Sequence, residues 1–229
     1  MNKNLVVVSA GTGDPSSTRL LADRTAQRVA ALVSESAPSE QGESVDIRVI
    51  DLREIAAEVT TALVSQHVGP GLRAAIDAIA AADGVIASTP VYAAGPSGLF
   101  TSFFQILDTD TLIGTPVVLA ATAGTARHAL VADDQMRGMF GYLRAMTVPT
   151  ALFAAPEDWA DQALAGRIDR AALELVTLMR AGVAQTVRAG NSSRYQTQFG
   201  SKNDPGINFD SDLMRLAAGG TPKPTLRSV

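Results

Sequence analysis

Short runs of β-branched apolar residues alternate along this chain with longer Ala-, Leu- and Arg-rich stretches, and that alternation admits few architectures. Residues 5–9 (Leu-Val-Val-Val-Ser) read as a buried strand, and 16–34 as a helix with an apolar stripe of Leu20, Leu21, Ala26, Val29 and Val33. A polar loop over 38–44 leads to 45–50, whose Val-Asp-Ile-Arg-Val-Ile alternation suits a strand nearer a sheet edge. Helices are then predicted over 72–82, 99–107, 130–145 and 161–187, with strands over 84–88, 116–121 and 147–154. Strand alternating with helix implies the α/β class, a parallel sheet covered by helices on both faces. Right-handed crossovers leave the doubly wound patterns, and five strands favour the order 2-1-3-4-5. In such sheets ligands bind beyond the carboxyl ends of the strands, which directs attention to the loops after the first, third and fourth.

Composition narrows the chemistry more than the fold. Hydrophobic residues make up 46% of the 229 and charged ones 18%, the balance of a folded chain rather than a disordered one. A net charge of −4 argues against a sequence-independent grip on nucleic acid or an anionic membrane. No cysteine is present, which removes disulfides, thiolate nucleophiles, thiolate zinc sites and cysteine-held clusters. The only histidines are His67 and His128, too few for a three-histidine zinc site. Lys3, Lys202 and Lys223 lie near the ends, so no mid-chain lysine serves a phosphate loop or a Schiff base. The chemistry is therefore expected to belong to a bound cofactor or to backbone donors, with no metal. No apolar run is long enough to span a membrane, and 5–10 is too short for a signal peptide, so a cytoplasmic protein is expected.

Two stretches carry most of the information. Ser9-Ala-Gly11-Thr-Gly13-Asp-Pro-Ser16-Ser17-Thr18 joins the first strand to its helix. Ser16 suits an N-cap, and the free N–H groups, the positive end of the helix dipole and the hydroxyls of Ser9, Ser16, Ser17 and Thr18 suit a phosphate monoester. Capping alone uses the same residues. The dinucleotide fingerprint lacks its third glycine, its acidic residue comes too late at Asp51, and the phosphate-loop Gly-Lys-Ser/Thr is missing. A receiver domain lacks its acidic cluster and its lysine. After the third strand, Pro90 is expected to end the strand, and Gly95, Pro96 and Gly98 to force a tight path. Tyr92 and nearby amides then face the ligand edge and suit a flat heteroaromatic ring. A hydrolase elbow fails because the second glycine near Ser97 comes one place early.

Val-Val-Val-Ser9-Ala-Gly, Pro15-Ser-Ser-Thr-Arg-Leu-Leu-Ala-Asp-Arg24, Thr89-Pro-Val-Tyr92, Ser97-Gly-Leu-Phe100 and Phe103-Phe104 together resemble the NAD(P)H-dependent FMN reductases of flavodoxin-like fold. The run Ala121-Thr-Ala-Gly124-Thr-Ala-Arg127-His128 is similar to a subgroup that supplies luciferase-like monooxygenases; the likeness covers residues 4–187. It implies that Ser9, Ser16, Ser17 and Thr18 hold the FMN phosphate. Pro90, Val91, Tyr92 and Ser97 would line the ribityl chain and ring, and Thr122, Ala123 and Gly124 would offer backbone donors to the pyrimidine edge. The nicotinamide of NAD(P)H would stack on the open ring face and pass hydride from C4 to the flavin N5, with no side chain acting as acid or base. The resemblance further implies an FMN-binding domain over 1–188, a homodimer or dimer of dimers, and delivery of reduced FMN to a flavin-dependent monooxygenase.

Other readings stay open at this point. Arg127 pairs with a cofactor phosphate or is a solvated loop arginine, and His128 borders the flavin or caps a turn. His67 reads as a loop residue, and Asp108 and Asp110 as a helix-end turn rather than a metal pair. Trp159 packs against the last helix or shields a flavin across a subunit boundary. The polar tail over 189–229 holds Tyr195, Phe199 and Phe209 and a possible short helix over 211–218. It is either draped on the surface or an arm toward a second subunit. Rival functions are a non-enzymatic flavodoxin-like electron carrier, an FMN-dependent quinone or azo reductase, and a scaffold without flavin.

Overall fold

The computed structural model describes residues 2–35 and 43–191. The strands are β1 (Asn2–Ser9), β2 (Ser44–Asp51), β3 (Gly84–Tyr92), β4 (Gly95–Pro96), β5 (Pro116–Thr122), β6 (Met146–Thr147) and β7 (Leu152–Ala154). The helices are α1 (Ser17–Glu35), α2 (Ala56–Ser65), α3 (Pro70–Ala80), α4 (Gly98–Gln105), α5 (Arg137–Tyr142), α6 (Gln162–Arg180) and α7 (Val183–Asn191). The sheet runs β2-β1-β3-β5-β6 with β7 also on β5, all parallel, while β4 folds back antiparallel on β3. That is the expected doubly wound order, with the fifth position shared by two short strands.

Period-two alternation builds two cores. Val6 and Val8 of β1, Val85 and Ala87 of β3, and Val117, Leu119 and Ala121 of β5 face α2 to α5. Their neighbours Leu5, Val7, Ile86, Val118 and Ala120 face α1 and α6. On the first face Phe100, Phe103, Phe104 and Phe140 interlock, with centroids 4.7 Å apart for Phe100–Phe104 and for Phe104–Phe140. Trp159 packs against the second core and under the Arg24 guanidinium, as the packing reading expected.

Several elements depart from expectation for identifiable reasons. Residues 147–154 are not one strand: Val148 N–H still bonds Val117, but Pro149 has no N–H to continue the ladder, and pairing resumes at Leu152. Pro90 does not end its strand. It lies opposite Thr122 at the open end of the sheet, and β3 runs on to Tyr92 before turning back. The helix expected over 130–145 starts instead as a π turn (Ala132–Met136), with a 3-10 turn (Ala126–His128) before it, and continues as α5, which ends at Tyr142. The last helix breaks at Gly182, whose φ of +61° is left-handed, so α7 starts afresh and carries the chain across 188–189. Helix α2 was not anticipated. Tyr195, Phe199, Phe209 and the helix expected over 211–218 lie outside the described residues, as does most of the 38–44 loop. Among the described residues, no helix is long and apolar enough to cross a membrane.

The hairpin joining β3 to β4 turns through Ala93 and Ala94, at φ +48° and +63°. Two positive φ angles define the I′ geometry that favours Asn-Gly, and alanine Cβ atoms oppose it. Replacing the pair (Ala93→Asn with Ala94→Gly) is expected to stabilise the fold by about 1 kcal/mol, roughly 2–4 °C in Tm. Calorimetry showing an unchanged or lower Tm would contradict the strain.

Candidate functional site

The carboxyl ends of β1, β3 and β5 meet the start of α1, and hydroxyls lock them together. Thr18 Oγ1 lies 2.7 Å from Thr122 Oγ1, both buried, and Ser88 Oγ donates to the Thr18 carbonyl at 3.0 Å. Ser16 is the N-cap: its Oγ accepts from Arg19 N–H at 3.1 Å and its carbonyl from Leu20 N–H at 3.0 Å. Helix geometry leaves the Ser17 and Thr18 N–H groups without intrahelical acceptors. The loop above is pressed onto this cap. A Cβ on Gly11 would sit 2.0 Å from Ser16 Oγ and 3.1 Å from Thr18 Cβ, so a larger residue would push the Ser16 hydroxyl off its capping position.

Across from the helix start stands the β3–β4 hairpin. Tyr92 is about half exposed, and its hydroxyl lies 2.9 Å from Thr12 Oγ1, joining the two loops at the mouth. Gln135 of the π turn donates to the Ala94 carbonyl at 2.7 Å and holds the hairpin from outside. Arg53 grips both oxygens of Asp51 and donates to the Gly13 carbonyl at 3.3 Å, fixing the first loop from the β2 side. Burial pushes the Asp51 carboxyl up, but hydrogen bonds from the Arg53 guanidinium and backbone outweigh it, leaving the pKa below the usual carboxylate value.

Between these walls opens a cleft of about 310 Å³. Of the expected residues, Ser16, Ser17, Thr18, Pro90, Val91, Tyr92, Thr122, Ala123 and Gly124 line it together. Four do not. Ser9 is buried beneath the loop, its Oγ 3.5 Å from Gly11 N. Ser97 is also buried; its Oγ caps α4 by accepting from Phe100 N–H, and its own N–H bonds Thr89 Oγ1. Arg127 and His128 stand on the 3-10 turn beyond Gly124, with Arg127 Nε donating to His128 Nε2 at 3.1 Å. Thr12, Gly13, Pro15 and Pro156 also line the cleft. The first three lie inside the loop already read for phosphate; Pro156 follows β7, and the strand-end rule applied to the fifth position would have found it.

Among the described residues, no charged side chain lines this cleft and no cluster of acidic or histidine residues could hold a metal. The walls offer backbone N–H groups, hydroxyls, a proline and a tyrosine ring. Its volume is at the small end of ligand clefts. The glycine-packed helix start fits a phosphate, and the Pro90–Tyr92 wall opposite fits a flat ring, so the donor set suits FMN.

The model of the NADPH-dependent FMN reductase family matches residues 4–160. The chain is 39% identical over 155 residues to the FMN reductase (NADPH) of Pseudomonas aeruginosa, covering 68% of this chain and 78% of that protein. It is 36% identical over 185 residues to the NADH-dependent FMN reductase SfnE of Pseudomonas putida, covering 78% and 93%. The crystal structure of an oxidoreductase from Corynebacterium diphtheriae matches with a TM-score of 0.74 at 42% identity, spanning 78% of this chain and 97% of that one. With the family model spanning both walls of the cleft, the chain belongs to the NADPH-dependent FMN reductase family.

Proposed function

We propose that this chain is an NAD(P)H:FMN oxidoreductase that hands reduced FMN to a separate flavin-dependent monooxygenase. The cleft carries the reading: a helix start stripped of side-chain bulk by Gly11, facing a half-exposed aromatic wall. When bound, FMN supplies the N5 acceptor for hydride from the nicotinamide C4. The Ser17 and Thr18 N–H groups, with the Ser17 hydroxyl, hold the phosphate at the positive end of α1. Pro90, Val91 and Tyr92 flank the ring, and Ala123 and Gly124 bring backbone to its edge. The chain's contribution is orientation, with no side chain required as acid or base.

We further read the chain as cytoplasmic, as a homodimer or dimer of dimers, and as an FMN-binding domain followed, beyond α7, by a polar tail or arm.

Mixing the protein anaerobically with FMN and NADPH or NADH is expected to bleach the flavin and nicotinamide bands together, far faster than a heat-killed control. Gel filtration is expected to separate FMN from the protein. Retention of FMN without any response to nicotinamides would mark an electron carrier instead. Gly11→Ala is expected to weaken FMN binding about tenfold or more, the cost of losing one charge-assisted phosphate contact, with circular dichroism unchanged. Wild-type affinity in that variant would place the phosphate elsewhere.

A further inference from the structure

NADPH and NADH differ by one phosphate on the adenosine ribose, and a protein separates them by placing a cation for it. Which arginine is available is decided by what each one already holds. Arg19 Nε lies 2.7 and 2.9 Å from the two carboxylate oxygens of Asp23. Arg53 is committed to Asp51 and to the Gly13 carbonyl. Arg137 is engaged by Asp133, Thr147 and the carbonyls of Val148 and Pro149. Arg24 lies over the Trp159 ring at 5.1 Å, six residues along α1 from the cleft-lining Thr18. That is about 9 Å down the helix axis, away from the mouth.

Arg127 differs from all of these. It stands on an exposed turn three residues after Gly124, which lines the cleft. It has no carboxylate partner among the described residues. Among the described residues its one hydrogen bond runs from Nε to His128 Nε2 at 3.1 Å, an acceptor without negative charge that leaves the guanidinium's charge uncancelled. Both terminal nitrogens are left for a ligand, in the planar fork that matches a phosphate.

We propose that Arg127 reads the 2′-phosphate of NADPH and makes this chain select NADPH over NADH. The inference rests on the FMN-reductase reading of the cleft. Outside that cleft wall, the arginine serves the nicotinamide cosubstrate and not the flavin phosphate, which keeps the flavin cradle neutral.

The test compares kcat/KM for NADPH and NADH in wild type, Arg127→Ala, Arg127→Lys and Arg24→Ala. Calorimetric binding of adenosine 2′,5′-bisphosphate and of adenosine 5′-monophosphate is measured beside it. Wild type is expected to favour NADPH, and Arg127→Ala to lower the NADPH/NADH ratio about tenfold or more, the worth of a charge-assisted contact. Arg127→Lys retains charge without the fork and is expected to fall between, while Arg24→Ala keeps the wild-type ratio. The bisphosphate is expected to bind more weakly to Arg127→Ala, with the monophosphate unaffected. An unchanged ratio in Arg127→Ala, a wild type that favours NADH, or loss of selectivity in Arg24→Ala overturns the assignment. Should neither nicotinamide reduce FMN, the reading of the cleft fails, and the bisphosphate comparison still decides the arginine.

Discussion

The start of α1 is fastened to the sheet by hydroxyls, and the site follows from that attachment. Thr18 bonds Thr122 at the end of β5 and receives Ser88 from β3, so one helical turn is fixed against two strands. The Gly11 loop then lies directly on the Ser16 cap, so close that a larger residue would push the Ser16 hydroxyl aside. A hydrogen-bonded hydroxyl is directional where an apolar contact is not. The N–H groups at the start of α1 are therefore held in place more by this fastening than by further packing. The packing itself is delegated to the two cores farther down the sheet, where β1 and β5 supply alternate side chains to each face.

Charge is kept out of the cleft and arranged around it. Arg53 and Asp51 neutralise each other on the β2 side while Arg53 also holds the Gly13 carbonyl, and Arg19 and Asp23 do the same on the outer face of α1. Exposed pairs of this sort contribute little stability on their own. Their effect here is geometric: the Arg53 pair ties down the loop that closes the cleft, and neither pair projects a fixed charge into it. A neutral, donor-lined cleft meets an anionic ligand with backbone dipoles alone.

Legibility in the sequence tracked how local each determinant is. The apolar runs over 5–8 in β1 and 116–121 in β5 could be little else, and with β3 they fixed the winding and so the edge where ligands bind. The cleft residues that were foreseen sit in loops whose glycines and prolines mark them. Ser97 shows the opposite case. Its place beside the aromatic motif suggested a ligand contact, but a serine just before a helix satisfies the Phe100 N–H first. The break at Pro149 was local and open to reading, since a proline has no N–H for the ladder, whereas α2 filling the interval before α3 depends on what the neighbouring helices leave open. Ser9 lies outside the cleft lining for a similar reason, since only the three-dimensional path of the Gly11 loop shows that it is covered.

The β3–β4 hairpin joins these threads. A turn through two left-handed alanines is a poor local choice, yet it persists because its surroundings determine it from several sides. Pro90 O accepts from Ser97 N–H inside the hairpin, Gln135 holds the Ala94 carbonyl from the π turn, and Tyr92 reaches Thr12 across the mouth. A wall fixed from three directions has little left to order, so whatever binds against it meets a smaller entropic cost. Gln135, which makes one of these bonds, lies within the π turn, so that turn and the hairpin are held together.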